Sequence, residues 1–535
     1  MRIERVRIKN FRGFPDVTLE LRGASRFLIA PNAGGKTSLL TAIARALGRD
    51  LTFTAADFVD RTQEILIQAT LTNLDSKQRS ALGDHVEFKS GRPATVTMQV
   101  RSTWNDDSEA AETEHGYLRA GSHSRRDERD AISMQWLPTF RDPARILSFG
   151  NARNLLGILL GDSPVAAALD DSIRAIQDAG TTLTSHDDFQ ALLRSARDEL
   201  ANFIPNVDQH AYRIAPSALA RADFLSQLEL FIAYLSESVS IARQSSGLGQ
   251  LSVFAVLSLL MQQNPGTILL VDEPELSLHP QAQRALVRRL TSFDSQVLVA
   301  THSPNMLDRI DPRQIVRLER SAGGLFFISP SSITDEEAHY LSRFTTPHVA
   351  EGFFAKLVVL VEGVSDQLAI EAVAEKLGCD FDAEGLSIVP MSGAGSIKAF
   401  ARLFGPNGLG LKLAGLCDAG EASFFASSLA AAGVPNVLAT SDLSAANFFV
   451  CDRDLEEELI RSLGTERSEA VIEDRGDLSA FRLFQAQPQQ RSEPLSTQLH
   501  RFISTRKVEY AAPMVDVLGT GELPVPLAEL VRSLR

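Results

Sequence analysis

The sequence predicts an α/β fold in more than one domain. Three observations carry this reading. A short apolar run, Phe27–Ala30, passes through a glycine-containing loop into the helical pattern SLLTAIARAL. Two further apolar runs, TILLVDE (267–273) and QVLVATH (296–302), end in polar residues. From KLVVLVEG (356–363) onward, apolar strand and helix alternate again. Short apolar runs bounded by glycine or charge, alternating with longer patterns of period 3.6, fit parallel strands with helices packed on the sheet.

At 535 residues the chain has room for roughly three or four domains. Hydrophobic residues make up 44% and charged residues 22%, which excludes wholesale disorder and fibrous repeats. No run reaches the roughly 18 apolar residues of a membrane span, and the opening MRIERVRIKN is charged where a secretion signal is apolar. A cytoplasmic protein without a membrane partner is expected. Cys379, Cys417 and Cys451 are few and widely spaced, as buried thiols are and zinc or disulfide frameworks are not. The net charge of −14 argues against coating nucleic acid by bulk attraction, while leaving room for local patches. Residues 351–535 carry 16 Lys+Arg against 26 Asp+Glu, so acidity is concentrated there as either a solvated surface or a cation site.

In chain order, RIERVRIKNFRGFPDVTLEL alternates on both sides of a break at Asn10–Pro15 and reads as two strands around a turn. EILIQATL (64–71) and ATVTMQV (94–100) are further strands. The polar stretch 105–130 reads as a loop, whose Arg119, Arg125, Arg126 and Arg129 form either a solvated surface or a phosphate-contacting cluster. From Asn151 to Ile241 apolar residues recur at helical spacing, as in FQALLRSARDELANFI and FLSQLELFIAYLSESVSI, predicting a helical insertion. QAQPQQRSEP (485–494) is the best low-complexity linker.

The segment Ala30–Ser38, APNAGGKTS, follows a strand and opens a helix, the context a phosphate-binding loop requires. Asn32, Gly34 and Gly35 would shape the loop, Lys36 would bring a point charge to the phosphates of ATP, and Thr37, next to Ser38, an oxygen for Mg²⁺. An alanine, Ala30, stands where the pattern begins with glycine. At the end of the strand 267–271, Asp272 is placed to hold Mg²⁺ through water and Glu273 to orient or deprotonate the attacking water. After 296–300, His302 could reach a γ-phosphate; taken singly it is equally a satisfied strand-end histidine.

In the C-terminal third, Glu362 ends an apolar strand and Asp366 lies four residues on, in the first turn of a helix, so both carboxylates can face one cation. Taken alone, the pair also fits a capping acid beside a solvated one. Asp418 ends LKLAGLCD, with Glu421 nearby, and acids at neighbouring strand ends converge at the C-terminal edge of a parallel sheet, making a divalent-metal site. Asp454 and Glu456 begin a helix, where acids are ordinary caps, and Lys507 by itself reads as a surface lysine.

The order Lys36, long insertion, Asp272-Glu273, then His302 resembles the ATP-binding-cassette ATPases of chromosome maintenance and recombination. That resemblance implies a Ser/Gly-rich signature contacting ATP from a second subunit. The candidate is SSGLGQ (245–250), with Ser246 and Gly247, although it departs from LSGGQ; a flexible turn is the alternative. The later order of strand-Glu-Gly, strand-Asp, acidic helix and lysine resembles a Toprim domain. Fused behind a cassette ATPase, it resembles the OLD (overcoming lysogenization defect) family of ATP-dependent endonucleases, to which the nuclease of the Gabija anti-phage system belongs.

The resemblance implies an ABC-type P-loop ATPase in residues 1–150 and 216–350, a helical dimerisation insertion in 151–215, and a Rossmann-like Toprim nuclease domain in 351–535. It implies Glu362, Asp366, Asp418 and Glu456 as ligands of two Mg²⁺ or Mn²⁺ ions, with Lys507 on the scissile phosphate. The family's Asp-x-Asp is here Asp418-Ala419-Gly420, so a second ligand is missing unless Glu421 replaces it. DNA, a homodimer or higher oligomer and a helicase are the implied partners, and defence against foreign DNA the implied role. Two other functions remain open: an ATP-dependent sensor or scaffold with a degenerate Toprim module, and a DNA-tethering ATPase of recombination.

Overall fold

The computed structural model describes residues 1–148, scattered residues within 155–194, and 230–243 and 246–535, apart from 32, 89, 120–127, 130, 140, 235, 236 and 331. Most of the insertion expected over 151–215 lies outside the described residues, as do Arg125 and Arg126.

The chain begins with strands β1 (Arg2–Phe11), β2 (Phe14–Glu20) and β3 (Arg26–Ile29), and continues with β4 (Ile65–Thr72), β5 (Val96–Asn105), β6 (Ala110–Tyr117) and β7 (Met134–Leu137). Strands β1, β2, β4, β5 and β6 form an antiparallel sheet in the order β2-β1-β4-β5-β6. Part of the stretch expected as a loop is therefore strand: Ala110–Tyr117 pairs with Met98–Asn105, because alternate burial there depends on a partner strand that local polarity does not reveal. The Arg129 side chain lies against His115 and Gly48.

After β8 (Phe231–Tyr234) and β9 (Glu237–Ser240) come β10 (Ile268–Asp272), β11 (Val297–Ala300), β12 (Ile315–Ser321) and β13 (Gly324–Ile328). The second sheet runs β13-β12-β3-β11-β10-β7, drawing strands from both sides of the insertion. Strands β8 and β9 form a hairpin, Phe231 facing Ser240, so the helix expected through FLSQLELFIAYLSESVSI does not extend over them. Phe231, Ile232, Tyr234 and Val239 favour extended backbone, and apolar spacing in so short a run fits either state.

The remaining strands, β14 (Leu357–Val361), β15 (Leu386–Pro390), β16 (Lys412–Asp418) and β17 (Phe448–Cys451), form a parallel sheet in the order β15-β14-β16-β17. Alternation builds the cores. In β10, Ile268 and Leu270 pack with the antiparallel sheet and the helix Lys36–Ala46, while Leu269 and Val271 face the helix Ser246–Gln263. In β14, Val358 and Leu360 join that same second core, and Leu357, Val359 and Val361 face the C-terminal helices. One hydrophobic core thus runs from the second sheet into the third, and Arg402–Glu337 (2.8 Å) and Arg317–Leu409 carbonyl (2.9 Å) bonds cross the same junction. The 485–494 segment is no linker: Gln490 is buried, and its carbonyl accepts from Gln498 at 2.8 Å. A glutamine-rich run mimics a linker in composition, but its amides here close a turn between two packed helices. All three cysteines are buried and free.

Candidate functional site

The first site forms where β3, β11 and β10 end side by side. Gly35 has φ of 88° as it opens the helix Lys36–Ala46, a backbone that favours glycine. Ala30 fits where the motif begins with glycine because Gly34 yields the space: a Cβ on Gly34 would stand 2.4 Å from that of Ala30. Lys36 is buried, its Nζ 3.2 Å from the Ala30 carbonyl and 2.7 Å from His302 Nε2. Burial lowers its pKa to about 8, against the attraction of Glu273, Asp272 and Glu275. Thr37 is exposed at the helix start and Ser38 half-buried, 3.5 Å from an Arg12 guanidinium nitrogen. Asn32 lies outside the described residues.

Parallel register places Asp272 beside Ala300, so Glu273 and His302 emerge from adjacent strands, 3.5 Å apart. Asp272 is fully buried; one oxygen accepts from Thr139 at 2.6 Å and the other has no partner among the described residues. Glu273 has φ of 46°, strained for a non-glycine residue, as is common where geometry serves a site. The orphaned Asp272 oxygen, beside a buried lysine and an exposed threonine, is a donor set suited to a nucleotide with its magnesium.

Two participants escaped the sequence reading. Glu275 accepts from Thr301 Oγ1 at 2.8 Å and from the His302 N–H at 2.7 Å, and burial raises its pKa. Arg141 is buried and donates to the carbonyls of Asp272 (2.9 Å) and Glu273 (2.8 Å), while its Nε donates to Gln250 at 3.0 Å. Glu275 stands two residues past Glu273, outside the strand-end pair; Arg141 carried no motif. Gln250 belongs to the helix whose start holds exposed Ser246 and half-buried Gly247, and a Cβ on Gly247 would lie 2.8 Å from the Ser277 carbonyl.

The second site lies at the C-terminal edge of the β14–β17 sheet. Glu362 follows β14 and Asp418 ends β16, its immediate neighbour, almost level in register. Asp366 accepts from the Gly363 N–H at 2.9 Å. Burial, then Glu362 and Glu456, raise the Asp366 pKa to about 6; burial, then Asp366, Glu362 and Asp454, raise that of Asp418 to about 7. Glu421 is also raised, by burial and then Glu362, and its buried Oε2 has no partner among the described residues. Burial likewise raises Glu456, whose Oε2 is 3.2 Å from Lys507 Nζ. Lys507 is raised despite burial, because Glu456, Asp418 and Asp454 hold its charge.

Acids that repel one another at a shared edge, one with an orphaned oxygen, form a set that a divalent cation would satisfy. The tightest set among the described residues is a different one: ligand atoms of Asp454, Glu456 and His500 all lie within 4.8 Å of one another. Asp454 was legible only as a cap, and His500, 2.7 Å from it, gave no signal at all.

A family model described as "AAA domain, putative AbiEii toxin, Type IV TA system" matches residues 27–308, and one described as "Overcoming lysogenization defect protein-like, TOPRIM domain" matches 353–419. The chain belongs to the AAA-domain ATPases, and behind that unit it carries an OLD-like Toprim domain. An OLD nuclease of Thermus scotoductus is 24% identical over 428 residues, covering 74% of this chain and 78% of that one. Endonuclease GajA of Bacillus cereus is 25% identical over 146 residues, 26% of this chain and 25% of its own length. The solved C-terminal region of the Xanthomonas campestris pv. campestris OLD protein shares 23% identity, covering 34% of this chain and 94% of that structure, at a TM-score of 0.28. The chain thus joins a P-loop ATPase fold to a Toprim fold. Among its described residues, no helix is long and apolar enough to cross a membrane.

Proposed function

We propose that the protein is an ATP-regulated, divalent-metal-dependent DNA endonuclease. The observation that carries the reading is the Toprim edge, where Glu362, Asp366, Asp418, Glu421 and Glu456 share one field with Lys507. When bound there, Mg²⁺ or Mn²⁺ would supply Lewis-acid activation of water and charge for the leaving oxygen. The chain's own residues position and neutralise: the carboxylates hold the cations, and Lys507 meets the charge that develops on the scissile phosphate. Glu421 stands in for the second acid missing from Asp418-Ala419-Gly420.

In the ATPase unit, assigned to residues 1–150 and 216–350, the loop from Asn32 through Gly34, Gly35, Lys36, Thr37 and Ser38 binds ATP and Asp272 holds its Mg²⁺. Glu273 orients water and His302 contacts the γ-phosphate. Ser246 and Gly247 complete the site of a second copy, so ATP favours a homodimer, with 151–215 in the dimer contact. Residues 351–535 are the nuclease domain. Defence against phage or foreign DNA, a helicase partner and a cytoplasmic setting complete the proposal, supported by similarity to OLD and GajA nucleases.

The test is supercoiled plasmid incubated with protein and Mg²⁺ or Mn²⁺, with and without ATP. Wild type nicks or cuts; Glu362→Ala and Lys507→Ala do not, and Lys36→Ala and Glu273→Gln lose ATP turnover. The second reading, a sensor or scaffold without cleavage, draws on the Asp-Ala-Gly departure. It prevails if wild type leaves every DNA intact while still hydrolysing ATP.

A further inference from the structure

Beside the Toprim edge, a cavity of about 760 Å³ opens between the helix Asp335–Phe344 and the turn Ser392–Ser396 that follows β15. Its volume is that of a small-ligand pocket. Tyr340 and Phe344, one turn apart, line one wall with ring centroids 4.5 Å from each other. Arg343 on the same helix and Lys398 opposite also line it, and neither has an ion-pair partner among the described residues. Of the two acids on that wall, Glu337 is held by Arg402 at 2.8 Å, which leaves two cations against Glu336.

Part of the far wall, at Gly393 and Gly395, carries no side chain: a Cβ on either would meet nothing within 4 Å. That wall is tied to the candidate metal site, because the Gly393 N–H donates to the Glu362 carbonyl at 3.0 Å. Tyr340 bonds Ser396 across the cavity, holding the two walls in place.

We infer that this cavity takes an unpaired nucleotide of a DNA single strand, with Arg343 and Lys398 on its phosphates and its base against Tyr340 and Phe344. Aromatic faces stack any base, and free cations follow the backbone, so the site is tolerant of sequence. A base paired and stacked within a duplex cannot present its face to such a wall without being unstacked first. The direction of the strand toward Glu362 rests on the nuclease reading; the binding does not.

The test is fluorescence anisotropy of labelled single-stranded and duplex DNA with the full chain in Ca²⁺, using wild type, the double variant Arg343→Ala/Lys398→Ala, and Gly395→Leu. The double variant should bind single strand about tenfold more weakly and lower the slope of log affinity against log salt by about 1 per cation removed. Gly395→Leu, which fills the cavity without changing charge, should weaken single strand more than duplex. DNA-free ATP turnover should be unchanged in both, which reports that they fold. A deoxynucleoside monophosphate should compete only weakly. Wild-type affinity in the variants, equal losses for single strand and duplex, or tight capture of the mononucleotide without strand binding would each overturn the inference. Plasmid cleavage is read separately: variants that lose strand binding beside a wild type that never cuts uphold the pocket and remove the nuclease reading.

Discussion

Lys36 Nζ stands 2.7 Å from His302 Nε2, so the cation of the phosphate loop rests on an imidazole delivered by the neighbouring strand. Burial brings the lysine down to about 8, and burial and Lys36 together lower the histidine. A lysine with a lowered pKa loses its charge as pH rises through that value. ATP affinity should therefore fall several-fold between about pH 7 and about pH 9, and Lys36→Arg should flatten the dependence because guanidinium stays charged. Titration with a fluorescent ATP analogue reads both; a flat wild-type profile counts against the assignment.

Arg141 links the carbonyls of Asp272 and Glu273 to Gln250 in the helix that begins with Ser246. Its planar fork fixes three acceptors at once, which lysine cannot do. Arg141→Lys should lower kcat for ATP by roughly 10- to 100-fold with little change in KM, since the misplacement falls on the groups that act on water. Steady-state ATPase kinetics decide it; a change confined to KM would place Arg141 in nucleotide binding instead.

The raised acids at the Toprim edge give a stability prediction. Unfolded carboxyls titrate near their ordinary values, whereas folded Asp366 and Asp418 titrate at about 6 and about 7. Between these limits the native state binds more protons than the unfolded state, so stability without metal falls as pH rises from about 4 to about 7. Thermal unfolding in a chelator should show Tm declining across that window, and Mn²⁺ should reverse the decline at the upper end. Unchanged melting with pH would show that these acids are not held together.

Asp418→Asn follows from the same repulsion. It removes a costly buried charge, so the metal-free protein should melt a few degrees higher, while the stabilisation by added Mn²⁺ shrinks or disappears. Glu421→Gln should weaken the Mn²⁺ response by about 10- to 100-fold in concentration if Glu421 replaces the missing second acid. Thermal shift against Mn²⁺ concentration measures both; a wild-type response in Glu421→Gln would leave Asp418-Ala419-Gly420 one ligand short.

Much of the architecture was legible because its signals are local. Glycine, lysine and a following helix mark the Ala30–Ser38 loop, and apolar strands ending in acid mark Asp272, Glu362 and Asp418. The hairpin Phe231–Ser240 was not legible, since a short apolar run fits helix or strand until a partner is present. The glutamine-rich 485–494 turn misled in the opposite way: composition signals solvent, while Gln498 and Arg501 bond to Gln490 and draw it inward.

The sequence alone determined which residues carry charge at strand ends and in what order, because strand termini, glycine turns and helix starts are set by neighbours a few positions apart. Only the tertiary structure decided which of those charges share a field. The ion pair of Glu456 with Lys507, the bond of Asp454 to His500, and the reach of Arg141 to Asp272 all join residues distant in the chain. Side-chain electrostatics depend on separation and burial in space, and both are products of how the sheets and helices pack.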